Sequence, residues 1–92
     1  MESWAAAATS AALADEIRVE MARQRRTGHE LAVVLGITAH TAGRRLSGAT
    51  PFDVVELARV GRWLAVDPAT LLTRARERSR GQDSEREDQP AA

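Results

Sequence analysis

Residues 27–48 read Thr-Gly-His-Glu-Leu-Ala-Val-Val-Leu-Gly-Ile-Thr-Ala-His-Thr-Ala-Gly-Arg-Arg-Leu-Ser-Gly, two short helical patterns that meet at Gly36. A turn this tight requires a residue that takes the left-handed backbone conformation without a Cβ clash, and glycine does so. On the first side Leu31, Val34 and Leu35 recur at spacings of three and four, while Ala32 is small enough to let the second helix cross closely. Ile37 fills the corner. Thr38 is placed to cap the second helix, Ala42 and Leu46 form its inner stripe, and Gly48 ends it. The remainder faces outward. Ala39, His40, Gly43, Arg44 and Ser47 recur on one face with few bulky groups, so that face can lie against the floor of a DNA major groove.

Outward from this stretch the elements follow from their end signals. Thr27 with Glu30 forms a capping-box pattern, which leaves His29 on the first turn facing solvent or DNA. Upstream, Leu13, Ile17, Val19 and Met21 begin a stripe, with Asp15 and Glu16 near its start and Arg23, Arg25 and Arg26 near its end, an order that suits the helix macrodipole. Those arginines are either a solvated terminus or phosphate contacts. Downstream, Asp53 and Glu56 form a second capping box, with Phe52 and Leu57 as its hydrophobic staple. Leu57, Val60, Gly61 and Leu64 are the inner set of that helix, with Trp63 beside it, covered by the last helix or open to a partner. Gly61 in mid-helix implies close packing. Asp67 and Pro68 then suit the cap and first position of a fifth helix, from which Leu71, Leu72 and Ala75 can return to the core. Arg74, Arg76, Glu77, Arg78 and Arg80 read as its water-facing end.

The organisation expected is therefore an all-α five-helix bundle. Residues 1–10 are alanine-rich, with only Trp4 to bury, and read as flexible or conditionally helical; 11–79 form the domain; 80–92, without one large apolar residue and rich in acids, read as a disordered tail.

Leu31-Ala32, Leu35-Gly36-Ile37-Thr38, Leu46-Ser47-Gly48, Glu56-Leu57, Gly61, Leu64 and Val66-Asp67-Pro68 together resemble the phage repressor and Cro type of helix-turn-helix over roughly residues 13 to 75. The resemblance implies a lambda-repressor-like bundle, a phage or prophage source, and a third helix seated in the major groove. Two positions depart from it: Gly28 stands where the family often has Gln, and Arg45 where an apolar residue is common.

Composition bounds the alternatives. The chain of 92 residues has no Cys and two His eleven apart, which argues against disulfides and metal. No apolar run approaches the ~20 residues of a membrane span, and a cytoplasmic location, at the nucleoid when bound to DNA, is expected. Net charge is zero, but Arg18, Arg23, Arg25, Arg26, Arg44 and Arg45 are grouped against Glu20 and Glu30, whereas Asp83, Glu85, Glu87 and Asp88 crowd the end. No nucleophile with a base, carboxylate pair or glycine-rich phosphate loop is present, so neither catalysis nor a cofactor or small-molecule ligand is expected.

Two functions remain. The first is a sequence-specific regulator that occupies operator DNA. Arg44 would read a base, His40 and Ala39 nearby edges; Thr38, Thr41, Gly43 and Ser47 would lie against bases or phosphates, and Arg45, Arg25, Arg26 and His29 would contact the backbone. A weak homodimer, completed on DNA, fits the absence of a separate dimerisation domain. The second is a protein-interaction module, antitoxin-like or an adaptor, that docks through Trp63, Trp4 and the alanine-rich start.

Overall fold

The computed structural model describes the backbone of residues 3–88 and the side chains of residues 9–81, so the Trp4 side chain and residues 89–92 lie outside the described residues. Five α-helices follow one another: α1 Ser3–Arg23, α2 Gly28–Leu35, α3 Ala39–Ser47, α4 Val54–Leu64 and α5 Pro68–Asp88. No break falls at residue 10 or residue 79. Alanine has the highest intrinsic helix propensity, which carries α1 through its first ten residues. In α5, Arg, Glu and Gln, which lose little rotamer freedom in a helix, dominate residues 76–87 and carry the helix on without a core.

The core is built where all five helices meet. Ile17, Leu31, Val60, Leu64 and Leu71 are fully buried, and Leu13, Met21, Leu35, Ala42 and Ala75 extend the cluster. Val19 is half-buried at the edge of the α1 stripe. Leu72 does not return to the core: Leu71 and Ala75, four apart, take the inward face, and the next position turns 37% exposed. Phe52 and Leu57 both pack against the cluster from the start of α4.

α1 and α5 are joined by charge as well as by apolar packing. Glu16 and Glu20 are buried on α1. Arg78 donates to Glu16 Oε2 from Nη2 at 2.7 Å and from Nε at 3.1 Å, and Arg74 Nη1 reaches Glu20 Oε1 at 3.4 Å. These two arginines thus reach back to α1 while staying partly open to water, because a buried carboxylate without a partner would be costly.

Three of the helices end the same way. After α2, Gly36 adopts φ 67°, its N–H bonds to Val33 O and the Ile37 N–H to Ala32 O. This is a Schellman closure, and the left-handed residue in it is usually glycine. α1 closes identically through Arg25, and α4 through Ala65, each at φ 57°. A left-handed non-glycine residue costs about 1–2 kcal/mol, while glycine adds about 0.4–1 kcal/mol of unfolded-chain entropy. Ala65→Gly is accordingly expected to stabilise the fold by about 0.5 kcal/mol or more, raising the melting temperature by a few degrees in a thermal scan. Close by, a Cβ at Gly61 would stand 2.8 Å from both Pro68 Cγ and Val66 O, so the α4–α5 corner admits only glycine.

Candidate nucleic-acid interface

α3 has nine residues, too few to hold as an isolated helix, and its neighbours fix it at both ends. At the start Thr38 Oγ1 accepts from the Thr41 N–H at 3.1 Å and donates to Thr41 Oγ1 at 2.9 Å. At the end Gly48 closes the helix in the left-handed region, and Arg18 of α1 donates to the Leu46 carbonyl at 2.7 Å while pairing with Asp15. A cation on the last carbonyls also complements the helix dipole. Ala42 is buried and Leu46 half-buried, which sets the rotation of the helix about its axis.

This rotation presents Ala39, His40, Gly43, Arg44 and Ser47 to solvent on one face. Nothing lies within 4 Å of a Cβ built at Gly43, so the middle of the face is flat and open. The Ser47 hydroxyl bonds back to the Arg44 carbonyl at 3.1 Å and accepts from the Ala49 N–H at 3.3 Å, which ties it to the end of its own helix. Thr41 is half-buried behind Thr38.

Arg45 corrects the sequence reading. Its Nε donates to Glu56 Oε1 at 3.0 Å and Oε2 at 3.3 Å, and the two side chains are only 18% and 10% exposed. Glu56 Oε1 at the same time accepts from the Asp53 N–H at 2.9 Å, and Asp53 Oδ1 accepts from the Glu56 N–H at 2.7 Å, closing the capping box of α4. Arg45 is therefore a strut between α3 and α4, with its Nε committed to Glu56 and most of its side chain covered. The departure of this position from the apolar residue common in the resembling family has its reason here: an apolar side chain would leave Glu56 without a counter-charge.

Pairing also redraws the basic half of the chain. Arg18, Arg23, Arg26 and Arg45 are engaged with Asp15, Glu20, Glu30 and Glu56 respectively. Arg26 additionally lies 5.5 Å over the ring of Trp63, half-covering a residue that the sequence left between core and surface. Of the six arginines grouped in the first half, Arg25 and Arg44 remain without an ion-pair partner among the described residues. Arg25 is held in the α1–α2 turn by its left-handed backbone, and His29 stands exposed on the first turn of α2. There, hydrogen bonds from the Thr27 backbone and then its hydroxyl hold the Glu30 carboxyl below its ordinary range. Arg18 and Glu56 were legible only as a helix-surface charge and a capping residue; their long-range partners, 28 and 11 residues away, carry no local signal.

Five helices with a short, capped third helix presenting a flat polar face make an all-α helix-turn-helix fold. Residues 5–88 match the profile of the BetR domain, and the chain belongs to that family. No curated protein matches it. Among solved structures it is similar to the crystal structure of the clp gene regulator ClgR from Corynebacterium glutamicum, with a TM-score of 0.80, 22% sequence identity, and coverage of 86% of this chain and 84% of that one. At that identity the likeness concerns the fold. Among the described residues no group of His, Cys, Asp or Glu is arranged to hold a metal ion, and no helix is long and apolar enough to cross a membrane.

Proposed function

We propose that the chain is a sequence-specific, double-stranded DNA-binding transcription regulator of the Cro and repressor type, which occupies an operator with α3 in the major groove. The observation that carries the reading is the open face of α3, with Arg44 unpaired beside the flat position at Gly43. An unpaired guanidinium there can take the bidentate geometry that recognises guanine O6 and N7. His40 and Ala39 would meet neighbouring base edges, Thr38 and Ser47 would lie against the groove wall, and Arg25, Arg26 and His29 would flank it along the phosphates. The protein of similar fold that regulates clp genes supports the general class of function. Two domains on half-sites about 34 Å apart, joined as a weak dimer on DNA, would complete the complex.

The test is a titration of operator and scrambled duplexes across a range of salt concentrations. If Arg25 and Arg26 each neutralise a phosphate beside α3, the logarithm of the binding constant should fall with the logarithm of salt at a slope of about −2 per domain. Val54 and Val55, 85% and 60% exposed at the start of α4, are the observation that favours a second reading, an interaction module for another protein. Salt-independent docking of a protein partner, with no binding to any duplex, would put that reading first.

A further inference from the structure

α4 carries two apolar faces, and one copy of the chain uses only one of them. Leu57, Val60 and Leu64 turn inward to the core. Pro51 of the preceding loop, Val54, Val55 and Ala58 stand at i, i+3, i+4 and i+7, a second helical stripe, and all four are exposed. Val54 is 85% open to solvent. Neither packing nor helix propensity within one copy accounts for two adjacent valines there, since β-branched residues are poorer helix formers than unbranched ones. Beside them runs a groove of about 380 Å³ lined by Val55, Ala58, Arg59 and Arg62. We propose that this outer face of α4 docks a second copy of the chain, the Val54 side chain of each copy entering the groove of the other. The choice of occupant rests on the operator reading, which calls for two domains on one duplex.

Symmetry favours a second copy over an unrelated protein. A two-fold interface must be complementary to itself, residue i meeting j while j meets i. Here a projecting apolar side chain and the depression that can receive it lie side by side at the start of one helix, so a single rotation fills both grooves. Asp53 and Glu56 stand in the first turn of α4, and their carboxylates offset the positive end of the helix dipole that the second copy's helix start would otherwise meet. Exposed Arg62 ends the stripe with charge and confines the contact to the first two turns. Four small side chains offer well under the roughly 600 Å² per copy of a stable interface, so the dimer free of DNA is weak. Its consequence reaches the recognition helix. The Arg45 strut to Glu56 and the bond from the Thr50 N–H to the Arg44 carbonyl at 3.2 Å hold α3 on α4, so a contact between two α4 helices fixes the separation of two α3 helices.

The experiment uses the full chain without DNA. The chain has no cysteine, so disulfide cross-linking can be read at single positions. Val54→Cys and Val55→Cys are each oxidised, with Val33→Cys, 76% exposed on α2, as the control. A disulfide requires two Cα atoms within about 7 Å, and at least one of the α4 variants is expected to form covalent dimer about tenfold faster than the control. Adding Ala58→Arg, which fills the groove, should return that rate to the control value while the melting temperature of the reduced protein moves by no more than about 2 °C. Sedimentation of the unmodified chain should show a reversible dimer that grows between ~10 µM and ~1 mM, whereas Val54→Asp stays monomeric. Cross-linking no faster than at Val33→Cys, or indifferent to Ala58→Arg, would overturn the second-copy assignment. So would an unmodified chain that is monomeric at ~1 mM, an outcome that gives the valines to a different protein. Because no arm contains DNA, a chain that dimerises as expected but binds no duplex would count against the operator reading and leave the interface standing.

Discussion

Glu56→Ala is expected to lower the melting temperature by about 10 to 30 °C. Two losses combine. The reciprocal half of the α4 capping box, Asp53 N–H to Glu56 Oε1, is lost at about 0.5–1 kcal/mol, while Asp53 Oδ1 keeps the backbone N–H of residue 56. Arg45 is left largely buried without its carboxylate, and a hydrogen bond to a charged group is worth about 1.5–3 kcal/mol. Their sum, on the order of 2–4 kcal/mol, converts at roughly 4–8 °C per kcal/mol for a domain of this size. The contrast with Arg26 and Glu30 is instructive, since those side chains are 40% and 44% exposed and solvent screens the pair between them. Glu56→Gln should fall between, because the amide oxygen can still accept from the Asp53 N–H while the charge opposite Arg45 is gone. A double-mutant cycle with Arg45→Met separates the two contributions. If Glu56→Ala and Arg45→Met proved additive, with no coupling, the strut between α3 and α4 would have no energetic standing.

That strut marks the limit of what local sequence signals convey. Gly36, Thr38, Gly48, the capping boxes at Thr27 and Asp53, and the Asp67-Pro68 start are each decided by backbone chemistry within four residues, and each stands in the fold where its residues place it. The arginines were harder. Arg45 and Arg44 are adjacent and chemically identical, yet one is paired in the interior and the other is open to solvent. Only the rotation of α3 distinguishes them, and that rotation is set by Ala42, Leu46 and a glutamate eleven residues further on. Likewise Arg74 and Arg78 read as a solvated helix end because the carboxylates they meet, Glu20 and Glu16, lie more than fifty residues earlier. The helical continuation of α5 to Asp88 shows the opposite limit: absence of anything to bury does not remove helix propensity.

The division of labour between these arginines leads to the sharpest functional expectation. Arg44→Ala should weaken operator binding by about 1 to 3 kcal/mol, roughly 5- to 150-fold, and relax the preference at one base pair of each half-site, since the bidentate pair to guanine proposed for it would be lost. Its stability should be unchanged within about 0.5 kcal/mol, because the side chain is exposed and has no ion-pair partner among the described residues. Arg25→Ala should act differently, weakening operator and scrambled duplex alike and reducing the salt slope by about one unit if it contacts a phosphate. Arg45, despite its position beside Arg44, should reveal itself in thermal unfolding before it does in DNA selectivity. The three variants measured together, by unfolding and by duplex titration at several salt concentrations, separate a reader, a phosphate contact and a strut. Should Arg44→Ala retain the full operator preference while Arg45→Ala loses it without loss of stability, the rotation of α3 on DNA would differ from that set by Ala42 and Leu46, and the face assigned to the major groove would have to be replaced.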